Sequence, residues 1–290
     1  MDKAVLKRLK NAGLLSEQVP DMGFVSTGSY ALNKIISGDY TKGVPIGMIS
    51  QFHGEASTAK TVFGTHILKE AQSKGYYTMM VDSENAYNPE FAKHLGIDPS
   101  KLIYAAPETL EDCFQVIENN MQGAIRAKST GACLRKINPL MRKHKVALVI
   151  INQIRNKIGV MYGSPDTMAA GGKSLEYYLG VNLKCISNKT SDLLKDEHKR
   201  VMGIKGMVRN TKNKCSIPFR ECEFELMYNE GLNPYAGTLK QLEGDGMVTR
   251  SGAWYTVADS DKKFQSKDFQ DLLLDPKAEG FEGIRKFFGV

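Results

Sequence analysis

Apolar and polar positions change period several times along this chain. Val5, Leu6 and Leu9 alternate with Lys3, Lys7, Arg8 and Lys10, which predicts a short amphipathic helix that Pro20 and Gly23 end. Met48–Phe52 reads as a strand, and Val62–Lys74 as a helix with Phe63, Ile67, Leu68 and Ala71 on one face, stopped at Gly75. Tyr76–Val81 is a strand, Pro89–Leu95 a short helix ending at Gly96, and Leu102–Tyr104 a strand. A helix follows over Thr109–Asn119, with Leu110, Cys113, Phe114 and Ile117 on one face. Arg126–His144 is again helical in pattern, interrupted by Pro139. Val146–Ile151 is a continuous apolar run, as in a strand buried on both faces. Further on, Glu221, Glu223 and Glu225 alternate with Cys222, Phe224 and Leu226, the period of a half-buried strand. A turn into another strand is predicted at Gly252-Ala253-Trp254-Tyr255, and a small terminal helix near Ile284–Phe288.

This alternation predicts an α/β fold whose mostly parallel sheet is flanked by helices. One step breaks the rule. Two helical patterns follow each other, and Asn119-Asn120-Met121-Gln122-Gly123 cannot supply the buried strand that belongs between them. Composition narrows the picture. Of 290 residues 42% are hydrophobic and the net charge is +7, which excludes a disordered chain and permits, without requiring, a nucleic-acid partner. No apolar run is long enough to cross a bilayer, and Met1-Asp2-Lys3 opens no apolar secretory core. The five cysteines, Cys113, Cys133, Cys185, Cys215 and Cys222, form no C-x-x-C pair. A reduced, cytoplasmic protein is the expectation.

Four segments carry candidate chemistry. Gly54-Glu55-Ala56-Ser57-Thr58-Ala59-Lys60-Thr61 follows a strand and opens a helix. That context lets backbone N–H groups face phosphate oxygens, with Lys60 on the β- and γ-phosphates and the Thr61 hydroxyl on Mg²⁺. Ala59 stands where the phosphate-loop pattern has its second glycine, which is tolerable if its φ is negative. The plainer alternative is a Ser/Thr-rich turn before a helix. Asp82-Ser83-Glu84 ends the next strand, where ligands of open α/β sheets sit and where a glutamate can take a proton from water. Asn152-Gln153 ends the apolar strand and leads into a loop over 154–172 with Arg155, Lys157, Ile158, Met161 and Tyr162, followed by Lys173. Its cations suit phosphates and its apolar side chains suit bases; an ordinary long surface loop is the alternative. Arg209-Asn210-Thr211-Lys212-Asn213-Lys214 is either a solvated face or a phosphate or subunit contact.

Taken together, these residues resemble the RecA family of recombinases, bacterial and phage. The matching pieces also include Ser26-Thr27-Gly28-Ser29, Asn85-Ala86, Gly171-Gly172 and Gly252–Tyr255; they occur in family order over residues 1 to about 257. The most specific is Asn152–Gly163. The resemblance implies a RecA-like P-loop NTPase core at 25–257, an N-terminal oligomerisation helix and linker at 1–24, and a short C-terminal region at 258–290. It implies ATP and Mg²⁺ as cofactors, held by Gly54, Glu55, Ala56, Ser57, Thr58, Ala59, Lys60 and Thr61, with Asn88 and Phe91 at the adenine. Lys212 and Lys214 would reach ATP bound on the adjacent subunit. Glu84 would activate water, and Gln153 would sense the γ-phosphate.

Single-stranded DNA would be contacted by Arg126, Arg155, Asn156, Lys157, Ile158, Gly159, Val160, Met161, Tyr162, Gly171, Gly172 and Lys173. The implied activity is ATP-dependent strand exchange by a helical homo-oligomeric filament that pairs the bound strand with homologous double-stranded DNA. The alternatives are a DNA-coating filament that binds ATP without turnover and a ring-forming, helicase-like motor. No membrane partner is expected, and the location would be a bacterial cytoplasm or that of a phage host. The family's Walker B strand, with its aspartate, and its first DNA-binding loop would fall between Asn120 and Met121, and the sequence contains neither. The resemblance implies that a natural chain of this kind carries them.

Overall fold

The chain is described here from a computed structural model, over residues 22–85, 87–122, 130–155, 168–169, 172–188 and 191–289. The predicted N-terminal helix lies outside the described residues. Strands β1 (Phe24–Val25) and β2 (Val44–Pro45) pair antiparallel and bracket helix α1 (Tyr30–Ser37). Ser29 caps α1 by accepting from Leu32 N, and Gly38 closes it in the left-handed region at φ 87°. Beneath that cap, Asn33 Oδ1 accepts from the Thr27 N–H and hydroxyl while its amide donates to the Tyr40 carbonyl. The Ser26–Ser29 motif therefore builds a helix start.

The main sheet contains β3 (Ile49–Gly54), β6 (Leu148–Arg155), β7 (Met168–Ala169), β8 (Leu179–Ile186), β9 (Leu193–Lys195), β10 (Val201–Asn213), β11 (Glu221–Met227) and β12 (Gly231–Leu232). Its order is β12-β11-β10-β8-β3-β6-β7, with β9 on the edge of β10. Only β8, β3 and β6 run parallel within it; β10, β11 and β12 add antiparallel. The sheet is thus mixed, parallel around β3 and folded back and forth beyond β8.

Helix α2 (Lys60–Ser73) covers one face. Phe52, Phe63 and Phe224 join sheet and helix there, with Phe52–Phe63 and Phe63–Phe224 ring centroids 5.4 and 5.2 Å apart. The other face is covered by α4 (Leu110–Gln122), α5 (Thr130–Lys143) and α6 (Gly172–Tyr178), with Phe114, Leu134, Ile137 and Met141 buried against Ile49 and Leu179. Helix α5 runs through Pro139 instead of breaking. Pro139 and Arg135 are both exposed, so water can satisfy the Arg135 carbonyl that loses its partner.

A second, two-stranded parallel sheet stands apart: β4 (Thr78–Val81) and β5 (Leu102–Ala105), linked through α3 (Pro89–His94). No ladder joins it to β6 among the described residues. The apolar run of β6, expected to be buried on both faces, is only half-buried, and Ile151 is 38% exposed. The reason is the missing neighbour: the sheet splits at the place where the sequence lacks a strand.

After α7 (Thr238–Gly244), strands β13 (Val248–Ser251), β14 (Trp254–Val257) and β15 (Lys263–Gln265) form a meander across position 257. With α8 (Phe269–Leu274) and α9 (Glu282–Phe288) they enclose a core of Val257, Phe264, Phe269, Phe281 and Phe288. This unit docks on α1 through Tyr40 and Lys34, both bonded to Asp245, at 2.8 and 2.7 Å.

Candidate nucleotide site and subunit-facing edge

The loop between β3 and α2 begins at Gly54, where a Cβ would sit 2.3 Å from the Cys185 carbonyl oxygen of β8, so only glycine fits. Ser57 and Ala59 both have positive φ, 63° and 62°. Such left-handed residues turn successive N–H groups into a concave nest that suits an anion, and the nest opens onto the N-terminus of a fourteen-residue helix. The negative φ on which the tolerance of Ala59 was predicated is not observed. Ala59 occupies the conformation that glycine favours, at a cost of about 1 kcal/mol.

Lys60 is buried. Its Nζ donates to the Glu55 carbonyl at 2.5 Å and to the Thr58 hydroxyl at 3.3 Å, and Thr58 also donates to the Glu55 carbonyl at 2.9 Å. The lysine thus lies inside the loop against neutral oxygens, and Thr61 is exposed on the first turn of α2. Nest, helix terminus and lysine fit a polyphosphate; the Thr61 hydroxyl fits one ligand position of its Mg²⁺. Burial chiefly, with help from Lys184 and Lys60 and against nearby Asn182 and Glu176, holds the neighbouring His53 ring below its usual pKa.

Register places Gln153 of β6 directly beside Gly54 of β3. Its amide donates to both Glu84 oxygens, at 3.1 and 3.3 Å. Glu84 is presented by a turn that Asp82 holds: Asp82 Oδ1 accepts from Glu84 N at 3.1 Å, and Oδ2 from Tyr87 N at 2.8 Å. The candidate base and candidate sensor, 69 residues apart in sequence, therefore meet at the mouth of the loop. Asn88 and Phe91 sit on α3, where the Asn88 side chain caps the helix by accepting from Phe91 N at 3.0 Å and Phe91 is 38% exposed.

Lys212 and Lys214 lie on and just beyond β10, two strands across the sheet from β3. Lys212 pairs with Asn182, which pairs with Gln51; Lys214 N donates to Gly180. Lys212 is thus level with the middle of β3 and Lys214 with its amino end, roughly 10–15 Å along the strand from Gly54. Lys212 donates to the Glu176 carbonyl, and burial, followed by the nearby Lys214 charge, lowers its pKa against the opposing Glu176. The exposed apolar residues Tyr177 (77%) and Phe219 (76%) follow Glu176 in α6 and the β10 strand end, respectively. The rest of the charge run is structural: Asn210 and Asn213 donate to carbonyls of α1, and Arg209 pairs with Glu221.

Of the predicted DNA contacts, Arg126, Asn156–Tyr162 and Gly171 lie outside the described residues. Arg155 ends β6, and Gly172 and Lys173 open α6, described by backbone alone. Sequence reasoning missed Asp82 as the anchor of Glu84, although an Asx turn is legible in Asp82-Ser83-Glu84; it also missed the Cys185 carbonyl, which carries no sequence signal. All five cysteines are free, and no metal-binding cluster of His, Cys, Asp and Glu occurs among the described residues. No described helix is long and apolar enough to cross a membrane.

Comparison with known proteins agrees with this layout. The family model of the RecA N-terminal domain matches in two stretches, residues 10–126 and 119–233. The chain is 33% identical to Protein RecA of Heliobacterium modesticaldum over 276 residues, covering 85% of this chain and 75% of that one. It is 31% identical to Protein RecA of Aquifex aeolicus over 264 residues (81% and 74%), and 30% identical to that of Acidothermus cellulolyticus over 273 (84% and 76%). In the last case, 84% of 290 residues is about 244, so about 29 of the 273 aligned positions have no counterpart here. The crystal structure of the RadB recombinase superposes with a TM-score of 0.52 at 17% identity, over 72% of this chain and 98% of that one, and so shares the fold.

Proposed function

The chain belongs to the RecA family, and from that premise we propose that it is a DNA-stimulated ATPase that assembles head to tail on single-stranded DNA and exchanges it with a homologous duplex. The observation that carries the reading is the Gln153–Glu84 hydrogen bond beside the phosphate loop. The backbone nest and Lys60 would bind the β- and γ-phosphates, and Thr61 would hold Mg²⁺, which supplies charge neutralisation at those oxygens. Glu84 would accept a proton from the attacking water. Gln153 binds Glu84 now; turning its amide towards a γ-phosphate would release that carboxylate and shift the loop that follows β6, coupling nucleotide to DNA. Arg155, Asn156, Lys157, Ile158, Gly159, Val160, Met161, Tyr162, Gly171, Gly172 and Lys173, with Arg126, would make that DNA surface through phosphate contacts and base stacking. Asn88 and Phe91 would flank the adenine.

The distance of Lys212 and Lys214 from their own loop supports a role at the nucleotide of an adjacent subunit. Exposed Tyr177 and Phe219 supply apolar surface for such a contact.

The test is ATP hydrolysis with and without single-stranded DNA. The expected result is stimulation by DNA in the wild type, and a loss of a hundredfold or more in Glu84→Gln with ATP binding retained. Equal rates with and without DNA would sink the coupling. A second reading, ATP-dependent coating of DNA without turnover, is favoured by the open sheet between β4 and β6; ATP-dependent DNA binding with no hydrolysis at all is its signature.

A further inference from the structure

Glu84 lies on the turn that follows β4, so its place is set by that turn and by whatever holds the turn still. The turn starts at Asp82, whose N–H donates to the Ala105 carbonyl at the end of β5, at 2.9 Å. The Asp82 carboxylate then organises the residues that follow. Oδ1 accepts from Glu84 N and Oδ2 from Tyr87 N, and the chain between them passes through Asn85 at φ 52°. Asparagine tolerates that left-handed conformation, but it is not a resting shape for an unrestrained chain. The turn is therefore only as rigid as the Asp82 side chain.

That side chain has one further restraint, and it comes from β5. The Tyr104 hydroxyl donates to the same Asp82 Oδ2 at 3.3 Å. The Tyr104 ring also stacks on Tyr87, with centroids 5.1 Å apart and planes 26° from parallel. Tyr104 thus grips the turn twice, at its first residue through the hydroxyl and at Tyr87 through the ring. The ring is 43% exposed, so burial alone does not account for a large aromatic residue here, and stacking alone would need no hydroxyl.

We propose that Tyr104 is a positioning residue for Glu84. Its hydroxyl fixes the Asp82 carboxylate, its ring fixes Tyr87, and together they hold the turn that aims Glu84 at the mouth of the phosphate loop. Tyr104 acts through Asp82 and has no part in proton transfer. The inference rests on Glu84 as the base of an ATPase for its effect on rate, but not for its effect on the turn.

The test uses the full chain and Tyr104→Phe, which keeps the ring and removes the hydroxyl. With ATP and single-stranded DNA, kcat should fall about fivefold or more while KM for ATP changes less than about twofold, because misaim of the base weakens the chemical step and spares binding. In an Asp82→Ala background the same substitution should cost nothing further, since the carboxylate it acts through is gone. An unchanged kcat in Tyr104→Phe, even with a lower Tm, overturns the proposal, and so do losses that multiply in the double variant. Without nucleotide, exchange of the Tyr87 amide, followed by NMR, should quicken about threefold or more in Tyr104→Phe. Unchanged exchange also overturns the proposal, whatever the rate of hydrolysis. A wild type that hydrolyses no ATP sinks the ATPase reading instead, and the amide exchange alone then decides whether Tyr104 holds the turn.

Discussion

The two flanks of β3 are built from the same kinds of residues and end up in opposite conditions. On the β8 side, β10 pairs over most of its thirteen residues with β8, β9 and β11, and Phe224 is 1% exposed. On the β6 side only the two-residue β7 follows among the described residues, pairing at Ile154 and Arg155, and Ile151, equally apolar, is 38% exposed. The difference teaches that hydrophobic content does not bury a strand; a hydrogen-bonded neighbour does. Hairpin connections on the first side bring that neighbour from nearby in sequence, while a parallel neighbour on the second must come from a distant segment.

The largest test of this contrast is a pair of truncations. Phe224→Ala should cost about 3–5 kcal/mol, and Ile151→Ala under about 1.5, read by urea denaturation. Equal costs would mean that the β6 side is as tightly closed as the β8 side. A second test uses acid. His66 of α2 accepts from Leu232 N at 3.1 Å, tying the helix to β12, and burial together with Lys69 lowers its pKa to about 4 from 6.5. The unfolded chain then binds more protons between those values, so stability falls as pH drops from 6.5 to 4, by up to about 3 kcal/mol. Denaturation midpoints in His66→Gln should show a flatter pH dependence; an unchanged slope would place the acid sensitivity elsewhere. The smallest effect belongs to Ala59→Gly. Relief of the positive φ, less the extra chain entropy of glycine, should stabilise by up to about 0.5 kcal/mol and tighten ATP binding, read by Tm and titration calorimetry. A lower Tm would mean that the alanine is not strained.

Much of this arrangement was legible in the sequence because it rests on local rules. Gly75 and Gly96 do mark helix ends, and the alternation of Glu221–Leu226 does become a strand with one buried face. The gap between the helices of 109–119 and 126–144 was legible as well, and it appears as a divided sheet. What escaped depends on contacts distant in sequence. The sign of φ at Ala59 is set by the loop closing over Lys60, and the half-exposure of Val146–Ile151 by a neighbour that is not there. The charge run at 209–214 gave no hint that Asn210 reaches a carbonyl of α1, 175 residues away. Glu84 and Gln153 could each be picked out at a strand end, but their contact depends on β4 and β6, far apart in sequence, both packing on α2.

The placement of Lys212 and Lys214 away from Gly54, across the sheet and back along it, has a consequence for growth. If those lysines serve a neighbour's phosphates, each contact joins unlike surfaces, and a two-fold dimer cannot satisfy it. The assembly then has polarity. One terminal subunit shows a phosphate loop with no lysines across from it, and the other shows lysines with no loop to meet. Nucleotide at the first terminus is held by one subunit alone, so addition and loss should proceed at different rates at the two tips.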